Sequence, residues 1–176
     1  MNSKQISIAW LVSILLLAVF AGLSWLDLEL GPEAGGQIFE ISGYQVFPII
    51  SALLLLQGAA LLSSVLTPVA VGRVISGLLV PIMLAHGFYV VMGLQSSMQN
   101  AVAAQISEIT GVAGIASQTQ FVSFAGDTYL WVGYLVAIAA NLATVLTKAF
   151  SKANFSRTRP NKEEITDELD LWEAQK

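Results

Sequence analysis

The fold is decided by residues 44–94, which read YQVFPIISALLLLQGAALLSSVLTPVAVGRVISGLLVPIMLAHGFYVVMGL. Two apolar runs in this stretch, Tyr44–Leu66 and Val74–Leu94, contain no Asp, Glu, Lys or Arg. Each run has the ~20 residues that a helix needs to cross a bilayer. The short linker between them contains Pro68, which predicts the end of the first helix, and Arg73, which would hold the turn on one side of a membrane. The stretch therefore predicts an antiparallel pair of transmembrane helices.

The composition places the whole chain in the same class. Hydrophobic residues make up 55% of the 176 residues and charged residues only 11%, whereas a soluble domain has roughly a quarter charged residues. The mean hydropathy is +0.70, and the length is that of one compact domain. The chain has no cysteine, which excludes disulfides, a thiolate nucleophile and Cys-based zinc or iron–sulfur sites.

A further apolar run, Ile6–Leu26, predicts the first span. It also fits a secretory signal, with Lys4 before it and Ala21 as a cleavage point. Two features favour an uncleaved helix, namely a length above the ~20 residues of a span and Trp25 at the place of an interface anchor. Either interpretation puts the N-terminus in the cytoplasm.

The run Tyr129–Phe150 predicts the fourth span, with Trp131 and Tyr134 at the outer membrane interface. The chain thus divides into a four-span membrane domain, residues 1–150, and a flexible cytoplasmic tail, residues 151–176. The predicted spans are residues 6–26, 44–66, 74–94 and 129–150, and the predicted outer loops are residues 27–43 and 95–128.

The first outer loop predicts a β-hairpin. Trp25–Leu30 alternates apolar and polar residues, and Gln37–Ser42 is again β-favouring after a turn rich in Gly and Pro. An irregular loop is the alternative. The loop carries several carboxylates, but Asp27 and Glu29 share one strand face as solvated edge residues should, so we expect no metal site here.

The second outer loop is long for a connector and has no Lys or Arg. Ser97–Gly111 has apolar residues at helical spacing, which predicts a short amphipathic helix. Gln118–Phe124 has some strand character and is predicted to add a third strand to the hairpin. The predicted fold class is therefore an all-α membrane protein: a four-transmembrane-helix bundle with a small extracytoplasmic β-hairpin or sheet and a short amphipathic helix.

Three polar residues fall inside the predicted spans, namely Gln57, His86 and Asn141. Gln57 and Asn141 are best explained as hydrogen-bonding partners between helices. His86, the only histidine, could serve as a proton relay, a quinone contact or a ligand-binding group. The alternative, which we favour, is a neutral imidazole bonded to Gln57, to Tyr89 or to a carbonyl freed near Pro81. A relay needs a second acid or base at membrane depth, and the spans contain none.

The basic residues predict the orientation of the chain. They are confined to the two termini and the turn between the second and third spans, and the topology anchors among them are Lys4, Arg73, Lys148 and Lys152. Loops that carry Lys and Arg stay in the cytoplasm. We therefore expect a multi-pass plasma-membrane protein with both termini cytoplasmic.

The tail changes from a basic segment, 151–162, to an acidic one, 163–173. The basic segment would lie against anionic headgroups, and the acidic segment is expected to stay disordered until it meets a partner. Its apolar residues are candidates for docking onto another protein or for dipping back into the interface: Leu169, Leu171 and Trp172.

With these residues placed, the chain resembles the tryptophan-biosynthesis-associated membrane protein family of Actinobacteria. The matching features are Trp25 after the first span, Phe39–Gly43 followed by Pro48, the single Arg73 in the inner turn, and Leu171–Ala174 in the tail. Two departures are the single basic residue at the N-terminus and a tail that stops at Lys176, where relatives tend to continue to an Asp-Pro-Thr end. The resemblance implies a four-span plasma-membrane protein linked to tryptophan metabolism and supplies no catalytic residues.

Functionally, no catalytic, cofactor-binding or metal-ligating constellation is apparent, so we do not expect an enzyme. The small-residue helix faces favour an accessory protein that packs beside a membrane-protein partner or another copy of itself. The alternative is a small carrier or exporter of aromatic or indole-like metabolites, acting as an oligomer, with Gln57, His86 and Asn141 along its path. Lipid is the expected environment, and nucleic acid is not an expected partner.

Overall fold

A computed structural model describes residues 3–32, 36–112, 118 and 122–151. Its elements, in chain order, are α1 Ser3–Gly22, β1 Ser24–Leu30, β2 Ile38–Ser42, α2 Gly43–Val46, α3 Ile49–Leu66, α4 Val69–Thr110, β3 Val122–Asp127 and α5 Leu130–Phe150. Within the described residues, α1, α3, α4 and α5 are long and apolar enough to cross a membrane. This confirms the prediction of a mostly helical chain with four candidate spans and a small sheet.

The four long helices form a closed bundle, because α1 and α4 each pack against both α3 and α5. Only 28–33% of the most apolar window of each helix is buried inside the bundle. The remaining surface is dominated by large aliphatic side chains, and exposed apolar patches of this extent are foreign to water-soluble monomers. The helices therefore carry two apolar sides, one for the bundle core and one for lipid.

The turn between α3 and α4 is tighter than the sequence indicates. Only Thr67 and Pro68 separate the two helices, so Arg73 lies inside the first turns of α4 and not in a linker. The close crossing favours a glycine one turn into α4: a β-carbon at Gly72 would lie 3.1 Å from the carbonyl oxygen of Ser64.

The third span and the predicted amphipathic helix are one continuous helix. No glycine or proline interrupts the chain between Leu94 and Ser97, and α4 runs for 42 residues until Gly111 ends it with a left-handed φ of 71°. At 1.5 Å per residue this is about 63 Å, roughly twice the thickness of a hydrocarbon core. The C-terminal part of α4 consequently extends beyond the bundle. Residues 95–110 of α4 and the three-stranded sheet together form a region that we call the sheet cap.

The sheet of the cap has the strand order β2-β1-β3, with both pairings antiparallel. It confirms the predicted hairpin, and a third strand is present over Val122–Asp127; residues 119–121 of the predicted strand Gln118–Phe124 lie outside the described residues. β1 is the central strand, so the prediction of Asp27 and Glu29 as edge residues is wrong. Asp27 is half-buried and accepts a hydrogen bond from the Ser24 hydroxyl at 2.9 Å.

Trp25 joins the sheet to the bundle. The prediction of Trp25 as an interface anchor on the first span is wrong, because α1 ends at Gly22 and Trp25 is a fully buried residue of β1. Its ring lies 6.1 Å from that of Phe47 and 5.4 Å from that of Tyr134, between centroids. A β-carbon at Gly43 would lie 2.5 Å from the indole ring. The Gly43 of the Phe39–Gly43 motif therefore makes room for Trp25.

Candidate functional site

Gln57 lies in the centre of the bundle and connects three helices. Its side chain is fully buried on α3. The indole N–H of Trp10 on α1 donates to Gln57 Oε1 at 3.5 Å, and Gln57 Nε2 donates to the sulfur of Met83 on α4 at 3.1 Å. Both ends of the amide are thus used inside the bundle, as expected for a polar group that holds helices together.

Asn141 makes a similar connection between α5 and α1. Its Nδ2 donates to the hydroxyl oxygen of Ser13 at 3.0 Å, and that hydroxyl donates to the backbone carbonyl of Trp10 at 2.7 Å. The Oδ1 of Asn141 is buried and has no hydrogen-bond donor among the described residues. Asn141 is therefore only half satisfied, in contrast to Gln57.

His86 is bonded to Tyr134, across the interface between α4 and α5. His86 Nε2 and the Tyr134 hydroxyl are 2.9 Å apart, whereas the expected partners were Gln57, Tyr89 or a freed carbonyl. That expectation is wrong because Tyr134, which was placed at the membrane interface, is fully buried. The side of the fourth span that carries Tyr134 faces the interior of the bundle, next to Trp25. Tyr134 is therefore the residue that bonds to His86 on the neighbouring helix.

A lateral groove of about 460 Å³ opens between α3 and α4 beside His86. Its walls are aliphatic apart from His86 and Tyr89. His86 itself is only 7% exposed, so the groove reaches the edge of the imidazole and not a polar path. Gln57 and Asn141 do not line it.

The basic side chains among the described residues gather at one end of the bundle. Lys4 and Lys148 line one cavity with residues of the α3–α4 turn, Lys148 Nζ donates to the Ser7 hydroxyl at 3.1 Å, and the Arg73 guanidinium donates to the Ser151 carbonyl. We call this the basic end. Four predicted residues, Lys152, Leu169, Leu171 and Trp172, lie outside the described part of the chain.

The described carboxylates lie in the sheet cap, at the opposite end: Asp27, Glu29, Glu40, Glu108 and Asp127. Within residues 3–32, 36–112, 118 and 122–151, no three His, Asp or Glu side chains come together in a way that could hold a metal ion. The carboxylates and the basic residues are separated by the whole length of the apolar bundle.

One polar residue of the cap was not singled out from the sequence. Gln118 is 3% exposed and lies beside a cavity between α4 and the sheet. A glutamine in the polar run Ser117–Gln120 gives no sign of this position, since its partners are the backbone carbonyls of Ala103 and Val112. Trp10 and Ser13 were missed for a different reason: Trp10 bonds to Gln57 and Ser13 to Asn141, each more than 40 residues away in the chain.

Four apolar helices, polar side chains paired across the bundle and charges kept to its two ends define a multi-pass membrane protein. The model of the tryptophan-associated transmembrane protein family matches residues 7–175, and the chain belongs to this family. This confirms the family resemblance seen in the sequence. Comparison with curated proteins and with solved structures finds no significant match.

Proposed function

We propose that this chain is a non-catalytic accessory protein of the plasma membrane, which acts by binding a membrane-protein partner or a second copy of itself. The observation that carries the proposal is the inward use of the intramembrane polar groups. Gln57, His86 and Asn141 each bond to another helix of the same bundle. Because they serve helix–helix contacts, the surfaces left for function are the lipid-facing sides, the tail and the sheet cap.

The separation of charges supports an orientation with both termini in the cytoplasm and the sheet cap outside. The basic end carries Lys4, Arg73 and Lys148, and the described part of the cap carries no Lys or Arg. Cytoplasmic loops are enriched in these residues. Alkaline phosphatase fused after Arg73 is expected to be inactive and the same enzyme inserted after Gly36 active. The reverse pattern would overturn the orientation.

The outer face of the sheet supports a partner-binding role. Ile38 on β2 and Phe124 on β3 both pair with Glu29 of the central strand, so they flank it on one face of the sheet. Their side chains are 73% and 56% exposed. Aromatic side chains are enriched in the cores of protein–protein contact surfaces, so Ile38 and Phe124 are the candidates for contact with a partner.

The description of the family supports a link between the partner and tryptophan metabolism. The test is affinity purification of the full chain in mild detergent with mass spectrometry of the bound proteins. Two matched variants locate the contact: Leu169→Ala with Leu171→Ala and Trp172→Ala in the tail, and Ile38→Ser with Phe124→Ser on the sheet. A partner that one variant loses supports the proposal. A monomer without a reproducible partner overturns it.

A carrier of aromatic metabolites is the second candidate, and the groove beside His86 is the observation that favours it. It would load a substrate from the lipid side, between α3 and α4. Flux of labelled tryptophan through proteoliposomes tests this function. Flux that His86→Ala abolishes in a protein that still folds would support it, and flux that the combined His86→Ala and Gln57→Ala substitutions leave unchanged would remove it.

A further inference from the structure

His86 has a second ring nitrogen that the bond to Tyr134 does not use. Nε2 is 2.9 Å from the Tyr134 hydroxyl, whereas Nδ1 has no hydrogen-bond partner among the described residues. Nδ1 is nevertheless not fully buried, because the fully buried polar atoms without a partner in the described part of the chain belong to Arg73, Gln118 and Asn141. It therefore keeps accessible surface, although the side chain as a whole is only 7% exposed.

The lateral groove between α3 and α4 is the space that this nitrogen reaches, since His86 is one of the residues that line it. Both walls of the groove are helices that the structure describes throughout. Its volume of about 460 Å³ lies within the range of small-molecule pockets, about 300–1,000 Å³. The other polar residue of the lining, Tyr89, is 52% exposed, so its hydroxyl is not confined to the groove as the imidazole is.

The bond to Tyr134 determines which nitrogen of His86 carries the hydrogen. Tyr134 is fully buried, and His86 Nε2 is the one partner of its hydroxyl among the described residues. If Nε2 were protonated, the hydroxyl hydrogen would be buried without an acceptor, which is unfavourable. The hydroxyl therefore donates to Nε2, and the network assigns the hydrogen of a neutral imidazole to Nδ1. The groove thus contains an N–H donor in an otherwise aliphatic wall.

The depth of His86 indicates which acceptors can reach this donor. His86 follows Arg73 by 13 residues in the same helix, which is about 20 Å along the axis, and a hydrocarbon core is about 30 Å thick. With Arg73 held at the membrane surface by its charge, His86 lies about two thirds of the way across. The ester carbonyls of phospholipids lie at the boundary of the core, so they do not meet His86. The acceptor must belong to a molecule that carries it into the hydrocarbon.

We propose that the lateral groove binds a small, uncharged, lipid-soluble molecule with an apolar body and a carbonyl oxygen, such as an aromatic ketone or a quinone, which accepts a hydrogen bond from His86 Nδ1. A charged ligand is disfavoured because no charged residue lines the groove. The hydrocarbon chain of a lipid would leave the N–H unpaired. The site does not depend on the accessory role, because it needs no second protein, nor on the carrier function, because it requires binding without flux.

The test measures binding to the full chain in lipid nanodiscs, with empty nanodiscs as the measure of partitioning into lipid. The probes are 2-acetylnaphthalene and 2-isopropenylnaphthalene, which has the same shape but a CH₂ group in place of the carbonyl oxygen. We expect saturable binding of the ketone and an affinity about fivefold lower for the alkene, the effect of one hydrogen bond of ordinary strength. Equal affinities would show that the groove takes hydrocarbon only and would overturn the proposal.

Two matched variants test the location of the site. Ala52 and Ala59 are both exposed on α3, and only Ala52 lines the groove. Ala52→Phe fills the groove and is expected to abolish saturable binding of the ketone, whereas Ala59→Phe is expected to leave it unchanged. Binding that Ala52→Phe leaves intact, or no saturable binding by the wild type, would overturn the proposal.

His86→Phe tests the donor and is read through the ratio of the two affinities. The ratio is expected to fall from about five to about one, because phenylalanine keeps the ring without the N–H. If this variant does not fold, His86→Phe is combined with Tyr134→Phe, so that no hydroxyl is left without an acceptor. A ratio that remains about five in the folded variant would overturn the assignment of His86 Nδ1 as the donor.

Discussion

The bundle interior and the sheet cap use the same side chain in different ways. Gln57, in the bundle, accepts a hydrogen bond from Trp10, donates one to Met83 and is fully buried. Gln118, in the cap, donates to two carbonyls, and its buried oxygen has no donor among the described residues. A fully used amide holds elements together, whereas the half-used amide of Gln118 leaves one buried acceptor unpaired among the described residues.

The two regions also differ in the interactions that hold them in place. The bundle is held by apolar packing and a few polar bonds between helices. The cap depends on its attachment to the bundle, where Trp25 lies between Phe47 and Tyr134. Substitutions at this junction should therefore have the largest effect on stability, and substitutions at half-satisfied polar groups the smallest.

The largest effect is expected for Gly43→Val. The new side chain would overlap the ring of Trp25, since even a β-carbon at this position lies 2.5 Å from it. We expect a loss of about 3 kcal/mol in the free energy of unfolding, measured by SDS titration in mixed micelles. Gly58→Val is the matched control, because a β-carbon at Gly58 meets nothing within 4 Å. A Gly43→Val protein as stable as the control would contradict the packing of the junction.

A smaller loss is expected for Gln57→Leu, about 2 kcal/mol, because the N–H of Trp10 is left buried without an acceptor. Adding Trp10→Phe removes that donor and should recover part of the stability. The same SDS titration measures both variants. If Gln57→Leu is neutral, the amide does not connect the helices, and the contrast with Gln118 disappears.

A coupling of about 1 kcal/mol is expected between His86 and Tyr134, within the range measured for hydrogen bonds between membrane helices. A double-mutant cycle with His86→Phe and Tyr134→Phe isolates it, since each single variant loses the bond and the double variant loses nothing more. Additive losses would show that the 2.9 Å contact contributes nothing to stability.

The smallest effect is expected for Asn141→Leu, a change within about 0.5 kcal/mol in the unfolding free energy. The substitution removes one hydrogen bond but also a buried oxygen that has no described partner. Ser13 keeps its bond to the carbonyl of Trp10. A loss as large as that of Gln57→Leu would mean that Asn141 is fully satisfied and that the distinction between the two amides is wrong.

Part of this fold could be predicted because the signals are local. Four long apolar runs, the alternation in Trp25–Leu30 and the confinement of Lys and Arg to a few segments are visible in short windows of sequence. The continuity of α4 could also have been predicted, since nothing in residues 94–97 breaks a helix. The helical spacing of apolar residues in Ser97–Gly111 predicts a helix but not whether it continues the third span, and a helix that leaves an apolar environment does not need to break.

The candidate sites could be predicted only in part. Gln57, His86 and Asn141 stand out as polar residues in apolar runs, but their partners come from distant segments. His86 and Tyr134 are 48 positions apart, and which side of the fourth span faces inward depends on how it packs against α1 and α4. Gln118 carried no signal, because its partners are two backbone carbonyls that come close to it only in the folded cap.

The sequence by itself determined that the chain has four apolar helices, a small sheet and charges segregated at their ends, because hydrophobicity and alternation act over one segment at a time. Only the tertiary structure decided that Trp25 is buried between the sheet and the bundle, that β1 is the central strand, and that Gln57 is satisfied while Gln118 is not. These outcomes depend on which side chains meet across the bundle and the cap, and such meetings are set by packing between segments that are remote in the chain.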